Sequence, residues 1–116
     1  MIRLIKTDSK LLSLIGLARA AGKASVGYTA VSEALKKKQS KLVLLAARSS
    51  ERTIKEYSAA ASRLGIKCLL LDTDELGGAV GKPAGIAVSI NDAGFADAIN
   101  NRINTLNDLG VHYNNE

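Results

Sequence analysis

The first third of the chain carries apolar residues at the spacing of an amphipathic helix. This stripe consists of Leu11, Leu14, Ile15, Ala18 and Ala21. Residues three and four positions apart share one face of a helix, so the pattern predicts a helix to about Ala21. Thr7, Asp8 or Ser9 can cap its start, and Gly22 ends it.

A second amphipathic segment follows a short extended link at Lys23–Val26. We expect a helix from near Gly27 to about Lys38, whose inward positions are Val31, Ala34 and Leu35. The next segment, Lys41–Ala47, contains four consecutive apolar residues. An unbroken apolar run is typical of a strand that is covered on both faces.

The same alternation of helix and strand continues through the second half of the chain. Ser50 is placed to cap a third helix that ends at Gly65. Its inward positions are Ile54, Tyr57, Ala61 and Leu64. Ile66–Leu71 is predicted to be a second buried strand and Ile86–Ile90 a third.

Shorter elements complete the pattern. Asp72–Glu75 favours the start of a short helix that runs to about Val80, and Gly81–Gly85 is predicted to be a loop. A last helix begins at Asn91 or Asp92, and its apolar positions are Phe95, Ile99, Ile103 and Leu106. The polar sequence from about Asn107 predicts a frayed tail.

Helices that alternate with buried strands indicate an α/β protein. We expect a three-layer α/β/α sandwich around a small four-stranded sheet that is mostly parallel or mixed. At 116 residues the chain is long enough for one domain. We place this domain at residues 1–106 and the polar tail at residues 107–116.

The positive charge of the chain is concentrated in one part of it. Residues 1–67 hold 14 Lys or Arg against 4 Asp or Glu, a balance of +10, whereas residues 68–116 hold 2 against 7, a balance of −5. A domain with one basic side favours a polyanionic partner, of which RNA is the leading candidate. With no Trp, one Phe and three Tyr, the chain is a poor candidate for a base-stacking sheet.

Composition also narrows the compartment. The lone Cys68 excludes an intrachain disulfide and fits a reducing cytoplasm; its apolar neighbours predict a small buried side chain, with a reactive thiol as the alternative. No segment reaches the roughly 20 apolar residues that a bilayer-spanning helix needs, so we expect no membrane partner.

Motifs of enzymes are incomplete in this sequence. Gly77–Lys82 resembles a phosphate-binding loop, but Leu76 stands where the motif needs its first Gly and Pro83 where it needs Ser or Thr. Asp72, Asp74 and Glu75 are better explained as helix-capping residues than as a metal or acid–base cluster. We therefore expect no enzymatic activity, no catalytic residue, no metal and no cofactor.

Three short runs favour binding, and each also has a purely structural interpretation. Gly22–Thr29 would present the free N–H groups of a helix start beside Lys23, where a phosphate can bind. The lysines at 36–38 and 41 extend positive charge along that helix, although cations at a helix C-terminus are also stabilising. Gly81–Gly85 offers a loop of small residues and can equally be a simple connector.

These runs make the sequence similar to a known family. Gly22–Tyr28, Lys41–Ala46, Leu76–Lys82 and Val88–Ile90 together resemble the blocks of the kink-turn RNA-binding ribosomal-protein superfamily, which includes the large-subunit proteins "seven Ae" and "thirty e". The small size is most similar to its bacterial YlxQ-like branch. The resemblance covers residues 9–103.

The resemblance implies a non-enzymatic α/β/α sandwich that docks on structured RNA in the cytoplasm. Family members insert the start of the second helix into the widened major groove of a kink-turn, against tandem G·A pairs. They cover a flipped-out nucleotide with the loop before the last strand. Carried over by position, the RNA-binding residues are Gly22, Lys23, Gly27, Tyr28, Thr29, Ala30, Glu33, Lys36, Lys37, Arg48, Lys82, Pro83, Ala84 and Gly85.

This chain departs from the family pattern at the helix start. Strong kink-turn binders carry Asn or Lys and then Glu or Gln where this chain has Thr29 and Ala30, and they carry Lys in place of Glu33. Thr29 keeps one hydroxyl for a base edge, and Lys37 lies one turn beyond Glu33 to offset its charge. We therefore expect sequence-independent phosphate contacts to supply most of the affinity.

Three functions follow from this reading. The leading hypothesis is a monomeric RNA-binding protein, associated with the ribosome or with translation factors, that recognises kink-turn-like or bent RNA. The alternative is a protein-interaction module of the same fold that docks on a translation or RNA-processing factor through its basic face. The third is a small nucleotide hydrolase, which the incomplete phosphate-binding loop disfavours.

Overall fold

The computed structural model describes residues 4–79, 81 and 87–114 of the chain, with the side chains of the last helix described as far as Asn107. Its strands are β1 (Leu4–Ile5), β2 (Ala24–Val26), β3 (Leu42–Leu45), β4 (Lys67–Leu71) and β5 (Ala87–Ile90). Its helices are α1 (Ser9–Ala20), α2 (Tyr28–Lys36), α3 (Glu51–Arg63), α4 (Leu76–Ala79) and α5 (Ala93–Asn114).

The five strands form one mixed sheet in the order β1-β4-β3-β5-β2. Strands β1, β4 and β3 are parallel, whereas β5 is antiparallel to both β3 and β2. Helices α1, α4 and α5 pack around one apolar core, and α2 and α3 pack around the other. The predicted three-layer α/β/α sandwich with a mixed sheet is confirmed, with five strands instead of four.

The sheet has two ends that later sections use. At the upper end β3 and β4 finish, β5 begins, and α1, α2 and α3 begin. At the lower end β3 and β4 begin, β5 finishes, and the same three helices end. Helix α5 runs the other way, from the lower end to the upper end, where Arg102 pairs with Asp8.

Three features of the sheet and the last helix differ from the prediction. The extended link before the second helix contains β2, which pairs with β5 through Ser25 and Ser89. Strand β4 is less covered than an apolar run suggests, because only Leu71 of its five residues is buried. Helix α5 continues to Asn114, so the backbone from 107 to 114 is helical where a frayed polar tail was expected.

A buried polar network joins the lower ends of three segments. Ser89 and Ser40 have less than 4% of their surface exposed, and their hydroxyl oxygens lie 2.7 Å apart. Because a hydroxyl carries one proton, Ser40 donates to Ser89, which donates to the Asn91 side-chain oxygen at 2.6 Å. The Asn91 amide in turn donates to the Ser25 hydroxyl at 2.8 Å. This chain of bonds fixes the register of β2 on β5.

Candidate nucleic-acid interface

The start of α2 lacks the side-chain cap that the neighbouring helices have. Asp8 accepts a hydrogen bond from the Leu11 N–H in α1, Ser50 accepts one from Thr53 in α3, and Asp92 accepts one from Phe95 in α5. Helix α2 begins instead at Gly27, which has φ +95° and no side chain. Its first N–H groups have no acceptor within the helix, so they can bind an anion or an acceptor from a ligand.

The end of the predicted capping loop lies against this helix start. The Gly27 N–H donates to the Ala87 carbonyl over 2.9 Å, and Ala87 is the first described residue after the loop. Of the loop residues singled out from the sequence, Lys82, Pro83, Ala84 and Gly85 lie outside the described residues. A backbone hydrogen bond therefore joins the start of α2 to the start of β5.

Two stacked tyrosines border the helix start. The rings of Tyr28 and Tyr57 lie 5.9 Å apart with 15° between their planes. The Tyr57 hydroxyl donates to the Tyr28 carbonyl at 3.2 Å, and burial raises the pKa of Tyr57, so this phenol stays protonated as a donor. Tyr28 is 44% exposed, which is unusual for a large hydrophobic side chain here. An exposed part of the Tyr28 ring thus lies beside the N–H groups at the start of α2.

The stacked pair forms one wall of a groove between α2 and α3. Its volume is about 470 Å³. It is lined by Tyr28, Thr29, Ser32, Glu33, Lys36, Thr53, Glu56 and Tyr57. Four of these are predicted site residues, Tyr28, Thr29, Glu33 and Lys36, and all four are exposed. The groove offers hydroxyls, two aromatic rings and charges of both signs, which suits a polar ligand rather than an apolar one.

Sequence reasoning missed the contribution of α3 to this groove. Tyr57 was predicted only as a core position, because its helical spacing places it inward, and it is indeed 6% exposed. Its hydroxyl nevertheless reaches the α2 backbone, and Thr53 and Glu56 of α3 line the same groove. The polar end of a tyrosine in an apolar stripe is the only signal in the sequence for this contact.

Glu33 forms an ion pair with Lys37. The Lys37 ammonium lies 3.6 Å from the Glu33 carboxylate, one helical turn away, and both side chains are more than half exposed. An exposed pair of this kind is worth about 0.2–0.5 kcal/mol, so it reduces the local negative charge without locking either side chain. The predicted compensation between these two residues is present in the structure.

Arg48 and Ala30 lie at the upper end of the molecule, as does Gly27. Arg48 follows β3, and its backbone N–H donates to the Asp74 carboxylate at 2.9 Å. Its side chain is exposed. Asp72, Asp74 and Glu75 are exposed close by, so the upper end carries charges of both signs rather than a purely basic surface.

Gly22 and Lys23 lie at the opposite end of the sheet from the helix start. The Lys23 carbonyl accepts from the Asn91 N–H at 2.8 Å, at the lower end of β5. Strand β2 separates Lys23 from Gly27, and four residues of strand span about 13 Å. The expectation that Lys23 sits directly beside the start of α2 is therefore wrong, because the intervening link is a strand.

The structure also bears on the thiol of Cys68, on metal binding and on membrane crossing. Cys68 is half-buried rather than buried, and burial raises the pKa of its thiol, which disfavours the reactive thiolate. Residues 4–79, 81 and 87–114 include no group of three or more His, Cys, Asp or Glu that could hold a metal ion. Within those same ranges, no helix has the length and apolar character needed to cross a membrane.

Comparison with known proteins identifies the family. The model of the ribosomal protein L7Ae/L30e/S12e/Gadd45 family matches residues 9–100, which is most of the chain. The chain belongs to this family. The match begins at the first residue of α1, spans β2 and the start of α2, and ends within α5. The resemblance to this superfamily, inferred from the sequence blocks, is confirmed, whereas the bacterial YlxQ-like branch stays a prediction.

Individual relatives agree with this assignment. The large ribosomal subunit protein eL30 of Candida glabrata is 32% identical over 98 residues, which cover 82% of this chain and 93% of the relative. A solved protein of unknown function from Bacillus halodurans has a TM-score of 0.77 at 28% identity, covering 84% of this chain and 99% of its own. The Giardia lamblia 15.5kD RNA binding protein shares the fold, with a TM-score of 0.69 at 15% identity over 89% of this chain and 92% of its own.

Proposed function

We propose that this protein is a non-enzymatic, cytoplasmic RNA-binding protein, associated with the ribosome, that recognises kink-turn-like or sharply bent RNA. The observation that carries the proposal is the uncapped start of α2, with the exposed ring of Tyr28 beside it, in a chain that belongs to a ribosomal-protein family. The start of that helix offers N–H donors, an aromatic face and the Thr29 hydroxyl to one ligand.

The chemistry of these groups fits RNA. A bent RNA exposes unstacked bases and closely spaced phosphates, which a regular duplex does not. Tyr28 can stack on one such base, and stacking on an aromatic side chain is worth about 1–3 kcal/mol. The N–H groups of residues 28–30 can donate to base edges or phosphates, while Arg48 supplies positive charge at the same end of the molecule.

A binding competition tests the proposal with purified components. A labelled kink-turn RNA and a straight duplex of equal length and charge are titrated with the protein. We expect the kink-turn to bind at least about tenfold more tightly, which is about 1.4 kcal/mol. Tyr28→Ala should reduce this ratio, and Tyr28→Phe should keep it because the ring remains.

A second variant and its control test the same preference, and the outcomes distinguish bent-RNA recognition from general RNA binding and from protein binding. Thr29→Ala should also reduce the ratio, whereas Thr105→Ala, an exposed hydroxyl on α5 that bonds to the Asn101 carbonyl, should leave it unchanged. Equal binding of both RNAs would contradict bent-RNA recognition. Absence of binding to either RNA would contradict RNA binding as a whole and favour the protein-interaction module.

A further inference from the structure

Six lysines lie at the lower end of the sheet, where α2 ends. Backbone hydrogen bonds fix this arrangement: the Lys41 N–H donates to the Ile90 carbonyl at 2.7 Å, and the Asn91 N–H donates to Lys23 at 2.8 Å. Lys67 is in register with Leu42 on the adjacent strand. We call Lys23, Lys36, Lys37, Lys38, Lys41 and Lys67 the lysine end.

The side chains of the lysine end are exposed and mostly without ion-pair partners. All six are exposed to solvent, and among the described residues only Lys37 forms an ion pair. Neighbouring strands lie about 4.8 Å apart, so the backbones of Lys67 and Lys23, three strands apart, are separated by about 14 Å. This row is wide enough to follow several consecutive phosphates of a nucleic-acid strand.

Lys38 provides an independent observation on the same surface. Helices α1, α2 and α3 all end there in one motif, in which an N–H two residues past the cap bonds back into the last turn. In α1 and α3 the left-handed residue of this motif is glycine: Gly22 at φ +72° and Gly65 at φ +69°. In α2 it is Lys38 at φ +58°, the only non-glycine residue of the described ranges with a positive φ.

Glycine is the residue that this motif favours, because a side chain strains the left-handed conformation. Favourable interaction with the helix dipole does not explain the choice, since Lys36 in the last turn and Lys37 at the C-cap already place positive charge at this end of α2. Residues held in a sparsely populated conformation cluster at functional sites. Lys38 therefore points to a use for its charge outside the folded chain.

We infer that the lysine end binds the phosphate backbone of an RNA arm that flanks the site at the start of α2. This inference rests on the proposed function and adds a second contact region to it. Helix α2 has nine residues and is about 13 Å long, so one folded RNA can reach both ends. The row presents six exposed ammonium groups, which suit phosphates better than a protein interface with an apolar centre.

The experiment measures binding of two kink-turn RNAs, one with short arms and one with a long arm. Three proteins are compared: the wild type, the double variant Lys38→Gly with Lys41→Gln, and the double variant Lys10→Gln with Lys55→Gln. The second double variant removes equal charge at exposed residues of α1 and α3 outside the lysine end. We expect the long arm to tighten wild-type binding about fivefold to tenfold. The lysine-end variant should lose this gain, and its log–log salt slope should fall by about 2.

Stability separates binding from folding. Lys38→Gly alone removes the strain at that position, so its urea midpoint should rise while its affinity for the long-armed RNA falls. A wild type that gains nothing from the long arm, or a lysine-end variant that keeps the gain, would overturn the inference and leave an acidic protein as the partner to test. A wild type that binds the kink-turn RNA no more tightly than the straight duplex would instead contradict the proposed function, so the two failures are distinguishable.

Discussion

Asp8 is the residue whose contacts combine helix capping with a link between distant elements. Its carboxylate accepts from the Leu11 N–H at 2.8 Å and from the Arg102 Nε at 3.1 Å, and the Arg102 guanidinium forms an ion pair with it. Arg102 and then the Leu11 N–H hold the pKa of Asp8 below its usual value of 3.8. The charged form therefore stabilises the folded state.

Asp8→Ala should lower the free energy of unfolding by about 1 kcal/mol at neutral pH, which is the usual value of an N-cap. A lowered carboxylate pKa adds stability above the unfolded value, and this contribution disappears as the pH falls through the folded value. The difference between wild type and variant should therefore narrow below about pH 4. Urea unfolding measured across this pH range checks the sign.

The exposed Asp97 on α5 provides the control for this series. Asp97 takes part in no ion pair among the described residues, so Asp97→Ala should change stability little at either pH. A loss in Asp8→Ala that stays constant down to about pH 2 would contradict the role assigned to its charge.

At the scale of elements, α1 and α4 meet at a glycine. A Cβ built on Gly16 would lie 2.8 Å from the Ala79 carbonyl oxygen, closer than such atoms pack. Because that oxygen belongs to the backbone, it cannot rotate away as a flexible side chain would. Gly16 thus sets how closely α4 approaches α1.

Gly16→Ala should lower the free energy of unfolding by about 1–3 kcal/mol, since overpacking exceeds the gain of up to about 1 kcal/mol in helix propensity. Gly78→Ala is the matched control, because a Cβ there meets no atom within 4 Å. Chemical unfolding of the two variants measures the difference. Equal stabilities would show that α4 shifts freely and that the contact has no energetic role.

The sequence predicts α1, α2 and α3 to within about two residues, because capping residues and helical spacing agree there. It does not predict β2. Ala24–Val26 has no strand signal of its own, and its pairing depends on Ser89, far along the chain. Since the link is a strand, Lys23 and Gly27 are carried to opposite ends of the sheet, which local patterns do not reveal.

The candidate site is likewise only partly predictable from the sequence. The start of α2 is readable from Gly27 and the residues after it, because the free N–H groups of a helix start are a local property. Its pairing with Tyr57 is a contact between helices and depends on packing. The role of Lys38 is also hidden, because a φ of +58° on a lysine has no counterpart in composition or spacing.

At the scale of the whole molecule, the exposed basic residues of the first half of the chain lie on several surfaces. The upper end mixes Arg48 with exposed carboxylates, whereas the lower end holds six exposed lysines. The positive charge of residues 1–67 is therefore not gathered around the start of α2. In the proposed function the start of α2 recognises the form of the RNA, and in the further inference the lysine end binds its backbone.

RNA binding should weaken steeply with salt as a result. With a few phosphates engaged, the logarithm of the affinity should fall with the logarithm of salt concentration at a slope of about −2 to −4. Fluorescence anisotropy of a labelled RNA at increasing potassium chloride concentrations measures it. A flat response would contradict electrostatic binding by the lysines.

The stacked tyrosines have a practical consequence for such titrations. The chain contains no tryptophan and only three tyrosines, and two of these form the pair beside the start of α2. Ultraviolet emission of the unlabelled protein therefore comes largely from the place where the ligand is proposed to arrive. Quenching of this tyrosine emission by a stacked base can therefore be followed without attaching a dye to the protein.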